Sequence, residues 1–139
     1  MRMQDTAANC GPASLSNALK ARGIERTQAE CETACGTTAT DGTSVKALIR
    51  GIKSFGHYPS EIKAKKWEDA WLRLDHYLRN GHPVLLCVDG DSHWVAAIGK
   101  LGPQYLIADP ADNELVLSLS PEALKTRWAH NKSFYGVSV

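Results

Sequence analysis

The sequence predicts one α+β domain over residues 1–139, with N-terminal helices packed on an antiparallel sheet. The chain has 139 residues, which is enough for one domain with a sizeable core and too few for two. Apolar residues recur at helical spacing through residues 10–80, and short apolar runs typical of strands follow them. Helices in one block and strands in the next favour an α+β domain over an alternating α/β fold.

The composition is that of an ordinary globular protein. Apolar residues make up 43% and charged residues 22%, and 16 Lys and Arg against 15 Asp and Glu leave a formal net charge of +1. These values exclude disorder as the main state and give no basic surface for nucleic acid. No apolar run approaches the roughly 20 residues of a membrane span, and no signal peptide opens the chain. We therefore expect a cytoplasmic protein with reduced thiols.

The first two helices are predicted from their ends. The first covers residues 10–22, with Asn9 at its N-cap position. Pro12 fits the first turn, because a residue there has no intrahelical N–H bond to lose. Thr27 is expected to cap a short second helix that runs to about Cys35.

Two clearer amphipathic helices follow a loop at residues 36–42. Thr43 or Ser44 caps the third helix, whose apolar positions step by three and four: Val45, Leu48, Ile49, Ile52 and Phe55. The fourth helix ends at Asn80-Gly81. Its apolar positions have the same spacing: Trp67, Ala70, Trp71, Leu74 and Leu78. The basic stretch before it, residues 63–66, is expected to be solvated.

Strands are predicted for the second half of the chain. The apolar run after Pro83 is typical of a buried strand, and a turn at residues 89–92 ends it. The predicted strands cover residues 84–88, 93–98, 104–108, 115–117 and 134–139. A last helix opens at Ser120-Pro121, because proline is favoured in a first helical turn.

Cys10 differs from the other cysteines because it begins a helix. The N–H groups and the dipole at a helix N-terminus favour the thiolate, which is the nucleophilic form. Cys87 lies in an apolar strand and is expected in the core. Cys31 and Cys35 share one helical face, but two ligands are too few for zinc and a reducing compartment disfavours a disulfide. We expect neither a metal nor an organic cofactor.

A cysteine nucleophile needs a histidine base and a third group that orients the base. If residues 93–98 and 104–109 form a hairpin centred near residues 101–102, the numbers of opposed residues sum to about 203. His93 then lies opposite Asp109 or Pro110, at the same edge of the sheet. The site would be complete if the first helix places Cys10 there.

Acyl transfer also needs hydrogen-bond donors for the oxyanion. The backbone N–H of Cys10 is one candidate, and the side-chain amide of Gln4, six residues earlier, is the second.

Five short motifs occur along nearly the whole chain. In chain order they are Gln4, Asn9-Cys10-Gly11-Pro12-Ala13, Asp41-Gly42-Thr43-Ser44, His93-Trp94-Val95 and Ala108-Asp109-Pro110-Ala111. Together they resemble the motifs of the C39 family of papain-like cysteine peptidases. The resemblance implies a papain-like fold, with Cys10 as nucleophile and His93 as general base. It further implies that Asp109 orients the imidazole and that Gln4 helps to bind the oxyanion. Asn9 stands where the family usually has Asp, and we expect it to serve as a cap.

The family is best known as N-terminal domains of bacterial bacteriocin-exporting ABC transporters, which cut leader peptides after a double-glycine motif. The resemblance therefore implies a thiol peptidase that acts on a peptide or protein, with cleavage after Gly-Gly. Two alternatives remain open: another papain-like acyl transfer on a protein, such as that of a deamidase, transpeptidase or toxin, and a non-catalytic peptide-binding module. The sequence leaves the substrate and the oligomeric state open.

Overall fold

A computed structural model describes residues 1–5, 9–37, 43–90, 93–130 and 133–139. The elements in these residues are α1 (Cys10–Ala21), α2 (Gln28–Cys35), α3 (Val45–Ser54), β1 (Glu61–Ala64), α4 (Trp67–Arg79), β2 (Val84–Val88), β3 (His93–Leu101), β4 (Gln104–Ala108), β5 (Val116–Leu119), α5 (Pro121–Trp128) and β6 (Phe134–Ser138). The strands form one antiparallel sheet in the order β1-β6-β2-β3-β4-β5. The predicted α+β class is confirmed.

Helices cover both faces of this sheet. The first three helices bury their apolar residues against one face, where Leu15 of α1 packs in the same cluster as Trp94 of β3. The last two helices cover the other face, where Leu74 of α4 and Trp128 of α5 cluster with Val95 of β3. Trp94 and Val95 point to opposite faces because side chains alternate along a strand.

The N-caps of three helices follow the sequence. Thr27 and Glu30 form a capping box at the start of α2. Ser44, not Thr43, caps α3, and Ser120 caps α5 in front of its proline. These caps satisfy N–H groups that a helix leaves without intrahelical partners.

Asn9 departs from the capping prediction. It occupies the N-cap position of α1, but its φ of −96° and ψ of 13° are not extended, and its side chain does not cap the helix. Its Nδ2 instead donates to the Glu32 carboxylate in α2. The expectation that Asn9 serves as a side-chain cap is therefore wrong.

Strand β1 replaces part of the stretch predicted to be a solvated basic segment. Ile62 and Ala64 are buried, whereas Glu61 and Lys63 are exposed, so the strand has the alternation of an edge with one covered face. It pairs with β6, the last strand in the chain. Lys63 is solvated as predicted, but Ala64 is buried, and the strand itself was not predicted because four residues with a lysine among them carry little local strand signal.

The β3–β4 hairpin has a different register from the predicted one. Leu101 pairs with Gln104, so the turn is centred one residue later than expected. A register shift at Ile98 then brings Ala96 opposite Ala108. The same register continued places Asp109 opposite Val95, two residues from His93. The predicted direct opposition is therefore wrong, although a residue two positions along the same face remains within reach.

Some predicted features lie outside the described residues: positions 38–42 of the first loop, which include the Asp41-Gly42 part of the motif, and positions 91–92 of the turn before β3. Across the part of the chain that the structure describes, none of the helices has the length and apolar character that a bilayer crossing requires.

Candidate active site

The N-terminus of α1 lies where β3 begins, and specific contacts fix it there. Ser14 of α1 donates its hydroxyl to the backbone oxygen of Trp94 at 2.8 Å, and the Trp94 indole N–H donates to the Thr43 oxygen at 3.2 Å. Gly11 is needed for this packing, because a Cβ there would lie 2.6 Å from the Thr43 Cβ. The helix start therefore holds Cys10 in one place beside the sheet.

The structure brings Cys10, His93 and Asp109 together. The Nε2 of His93 donates to Asp109 Oδ1 at 2.7 Å, and the His93 ring also hydrogen-bonds the Cys10 side chain. Because Nε2 is engaged with the carboxylate, Nδ1 is the nitrogen that remains for the thiol. Only 14% of the His93 side chain and 7% of the Asp109 side chain are exposed. A partly buried imidazole thus links the thiol to the carboxylate.

Each oxygen of the Asp109 carboxylate has its own partners. Oδ1 accepts the Ala111 N–H at 3.0 Å in addition to the His93 ring. Oδ2 accepts from Nη2 of Arg127 in α5 at 3.1 Å. The backbone N–H of Asp109 donates to the Leu115 oxygen at 2.8 Å, which fixes the main chain after β4. The carboxylate is held on both sides.

The surroundings of the Cys10 sulfur favour the thiolate. Burial alone would raise the pKa of the thiol, but hydrogen bonds from the His93 ring and from the Trp94 and Gly11 N–H groups outweigh burial and lower it. The Gly11 N–H is one of the donors that the start of α1 leaves unpaired. The lowered pKa is what a nucleophilic cysteine requires.

His93 and Asp109 shift each other's ionisation in opposite directions. Burial would lower the pKa of His93, but the hydrogen bonds to Asp109 and Cys10 raise it to about 9. Burial would raise the pKa of Asp109, but His93, the Ala111 N–H and the Arg127 charge lower it to about 2. At neutral pH these two shifts favour a His93 imidazolium beside an Asp109 carboxylate.

Gln4 lies beside this group, on a segment that several hydrogen bonds hold. Its N–H donates to the Pro110 oxygen at 2.8 Å, next to Asp109. Asn17 of α1 bonds both the N–H and the oxygen of Arg2, and Gln28 of α2 accepts from the Asp5 N–H at 3.0 Å. All four sequence-predicted site residues are thus found at one end of β3 and β4.

The sequence did not point to Arg127 or Asp89. Arg127 donates to the Asp89 carboxylate through Nε at 3.0 Å and Nη2 at 2.7 Å, and also to Asp109. The contact with Asp109 joins residues 18 apart, and the contact with Asp89 joins residues 38 apart. A basic residue in the last turn of a helix is common, so no local signal marks this one.

The remaining thiols have different surroundings. Cys31 and Cys35 are fully buried between α1, α2 and α3, and burial raises the pKa of Cys31 to about 12 and that of Cys35 to about 11. Cys87 is buried in the same cluster, as predicted. Among the described residues, no three His, Cys, Asp or Glu side chains lie close enough together to hold a metal ion.

The chain is similar to known proteins both in sequence and in fold. The sequence profile of the Peptidase_C39 like family matches residues 1–134. No curated protein sequence matches the chain.

Solved structures share the fold at low identity. The peptidase domain of Streptococcus ComA, a bi-functional ABC transporter involved in a quorum-sensing pathway, is 22% identical with a TM-score of 0.76, over 98% of this chain and 93% of that one. A double glycine motif protease from an AMS/PCAT transporter, solved in complex with the leader peptide, is 20% identical with a TM-score of 0.66, over 98% and 85%. A Bacillus anthracis protein described as a C39-like peptidase is 15% identical with a TM-score of 0.71, over 99% and 92%.

Proposed function

Because this chain belongs to the Peptidase_C39 like family, a family of cysteine peptidases, we propose that residues 1–139 form one catalytic domain that cleaves peptide bonds. The nucleophile is Cys10, the base is His93, and Asp109 orients the base. One observation carries this proposal: the imidazole lies between the thiol and the carboxylate, with Nε2 2.7 Å from Asp109 Oδ1.

The reaction follows from the charges of the three groups. The Cys10 sulfur attacks the peptide carbonyl, and the carbon–sulfur bond forms as the carbonyl electrons move to oxygen. The backbone N–H of Cys10 and the Gln4 amide stabilise this oxyanion. As the carbon–nitrogen bond breaks, the His93 imidazolium gives its proton to the leaving amine, and a thioester remains.

Hydrolysis of the thioester reverses these roles. The neutral His93 takes a proton from water, the hydroxide attacks the acyl carbon, and the Cys10 thiolate leaves. The proton that His93 accepts restores the imidazolium, so the ion pair is ready for another turnover. Asp109 remains charged throughout and holds the ring in position.

The substrate we propose is an extended peptide with small residues before the scissile bond, such as a leader peptide that ends in Gly-Gly. The shared fold with the double glycine motif protease, which was solved in complex with the leader peptide, supports this choice.

A cleavage assay with a Cys10→Ala variant tests the function. We expect the wild-type protein to cut a synthetic peptide after its Gly-Gly pair and the variant to leave it at the uncatalysed background. Cys31→Ala is the matched control, because it removes a buried thiol of raised pKa and should retain cleavage. Equal cleavage by Cys10→Ala would contradict the proposal.

The same assay separates peptide cleavage from other acyl transfers. Hydrolysis of the backbone gives two peptides, whereas deamidation leaves one product heavier by about one dalton and transpeptidation gives a joined product, because only the acyl donor and acceptor differ. Mass spectrometry of the products distinguishes the three. An intact peptide changed only by deamidation or joining would replace the peptidase proposal.

A further inference from the structure

We propose that Arg127 is a positioning residue that acts on His93 through Asp109. Asp89 in turn holds Arg127, so that α5 controls the alignment of the imidazole. This inference rests on the proposed roles of Cys10 and His93.

Asp109 divides its two carboxylate oxygens between His93 and Arg127. Oδ1 serves the His93 ring at 2.7 Å, and Oδ2 is bound by Arg127 at 3.1 Å. A carboxylate held by one oxygen can turn about its side-chain bond and change its alignment. With Oδ2 fixed by a guanidinium, that rotation breaks a charge-assisted hydrogen bond in a site where only 7% of the Asp109 side chain is exposed.

Arg127 is itself held in place by Asp89. Its Nε and Nη2 donate to the two oxygens of Asp89, which is a bidentate pair. The backbone is also tied, because the Asp89 N–H donates to the Arg127 oxygen at 2.9 Å. Asp89 has a φ of +55°, a conformation that non-glycine residues rarely adopt, and the bonds to Arg127 stabilise it there.

Arg127 forms a bridge between Asp89 and Asp109, which lie on different segments of the chain. Asp89 directly follows β2 in the connection that leads to His93, whereas Asp109 directly follows β4. Arg127 in the last turn of α5 bonds both, so one side chain joins the two chain segments that carry the base and its orienting group. A lysine would offer a single ammonium in place of the guanidinium fork that reaches both carboxylates.

The ionisable groups of the site and of the Arg127 bridge follow one another in a fixed order. The Cys10 thiol on α1 faces the His93 ring on β3, which faces the Asp109 carboxylate, and beyond Asp109 come Arg127 and Asp89. In the thiolate–imidazolium form these five groups alternate in sign. Arg127 balances Asp109 on the side away from the ring, so the charges favour the observed alignment.

The test measures Cys10 alkylation by iodoacetamide against pH, with mass spectrometry to localise the label. The alkylation rate depends on the ionisation of Cys10 and of its partner His93. The inflection of the rate–pH profile on the alkaline side therefore reports the pKa of His93. For Arg127→Met we expect this inflection at lower pH than in the wild type, because a misaligned Asp109 stabilises the imidazolium less. We also expect kcat for the Gly-Gly peptide to fall about 10- to 100-fold, with a smaller change in KM.

Two variants sharpen the test. Lys125→Met removes an exposed cation from the same turn of α5 and should leave both the inflection and kcat unchanged. Arg127→Lys should recover part of kcat, because an ammonium still pairs with one carboxylate.

Asp89→Asn tests the outer half of the bridge. Asp89→Asn should also move the inflection to lower pH, by less than Arg127→Met does. In the Arg127→Met background it should cause no further shift, because the effect of Asp89 passes through Arg127. If circular dichroism shows that Arg127→Met is unfolded, Asp89→Asn and Arg127→Lys can be compared with the wild type in its place.

Three results would overturn the inference. An unchanged inflection in folded Arg127→Met would leave only a structural role. An inflection at higher pH would mean that Arg127 acts as a nearby positive charge and not through alignment. Effects of Arg127→Met and Asp89→Asn that add in the double variant would show that Asp89 does not act through Arg127. Alkylation needs no peptide, so a failure of peptide cleavage would leave this test intact, whereas identical profiles for the wild type and His93→Gln would contradict the proposed function instead.

Discussion

At the scale of single residues, four buried thiols differ because of the atoms around each sulfur. Cys31 and Cys35 have burial as the main influence, which raises their pKa values to about 12 and about 11. Cys10 is also buried, but the His93 ring and two backbone N–H groups lower its pKa. Hydrogen bonds to the charged form therefore distinguish Cys10 from Cys31 and Cys35, because burial is common to all three.

Gln4 offers a prediction about the oxyanion. Gln4→Ala should lower kcat for peptide cleavage about 10²- to 10³-fold, because one donor to the developing oxyanion is lost. The rate of Cys10 alkylation by iodoacetamide should not change, because the thiolate displaces iodide in this reaction and no oxyanion forms. Gln104→Ala, at the far end of β4, is the control. If Gln4→Ala slowed alkylation as much as cleavage, Gln4 would support the thiol rather than the oxyanion.

The Asn9–Glu32 pair offers a second prediction. Asn9 is 3% exposed and donates to Glu32, so Asn9→Asp places two carboxylates in contact and should destabilise the fold by about 1–3 kcal/mol. The double variant Asn9→Asp with Glu32→Gln restores one donor and one carboxylate and should recover most of the loss. Urea unfolding measures both. Losses that simply add in the double variant would show that the two side chains do not interact.

At the scale of elements, α2 and α3 pack closely because a glycine faces a cysteine. A Cβ on Gly51 of α3 would lie 2.6 Å from the Cys35 sulfur of α2. Glycine inside a helix costs about 1 kcal/mol relative to alanine, so its presence at this buried position indicates a steric requirement. The fully buried Cys35 thus has a packing role in the contact between these helices.

This contact yields a third prediction. Gly51→Ala should destabilise the protein by about 1–3 kcal/mol, because overpacking outweighs the gain in helix propensity. In a Cys35→Ala background the same substitution should stabilise it, because the space left by the sulfur accepts the new methyl group. Gly99→Ala in β3, where a Cβ would meet nothing within 4 Å, is the control. Thermal unfolding measures the four variants, and a destabilising Gly51→Ala in both backgrounds would exclude the Cys35 contact as the cause.

At the scale of the whole molecule, the site joins elements from opposite faces of the sheet. Cys10 comes from a helix on one face, and Arg127 comes from a helix on the other. His93 and Asp109 lie between these helices, where β3 begins and just after β4 ends. The site therefore forms only when the sheet and both helical layers are assembled.

This dependence gives a fourth prediction, on stability against pH. The pKa of His93 in the folded state is raised to about 9. Its contribution to the free energy of unfolding is therefore complete below about pH 6.5 and is lost as pH rises through 9. The folded pKa of Asp109 is lowered to about 2, so its stabilisation is complete above about pH 4 and is lost as pH falls toward 2. The pair should stabilise the fold most between about pH 4 and 6.5.

Urea unfolding of the wild type and His93→Gln across this range measures the effect. The difference in unfolding free energy between them should be largest near pH 5 to 6 and should narrow toward both extremes. A difference that stays constant from pH 5 to 9.5 would contradict a charged interaction between His93 and Asp109.

The sequence by itself determined the elements that carry the site. Apolar periodicity, the caps Thr27 and Ser120 and the turn residues are local properties, so they predicted the five helices and most strands of the described chain. The same local logic placed Cys10 at a helix start and His93 at a strand start. Spacing then pointed to Asp109, even though the predicted pairing was wrong by the offset that the turn and the shift at Ile98 introduce.

Only the tertiary structure decided how these elements meet. Asn9 binds Glu32 in the next helix instead of capping its own, and Arg127 binds carboxylates 18 and 38 residues away. Strand β1 exists because β6, at the other end of the chain, pairs with it. Local propensity is the sum of interactions within a few residues. These contacts form instead when packing brings distant groups side by side, where each takes a partner of opposite charge or a hydrogen bond.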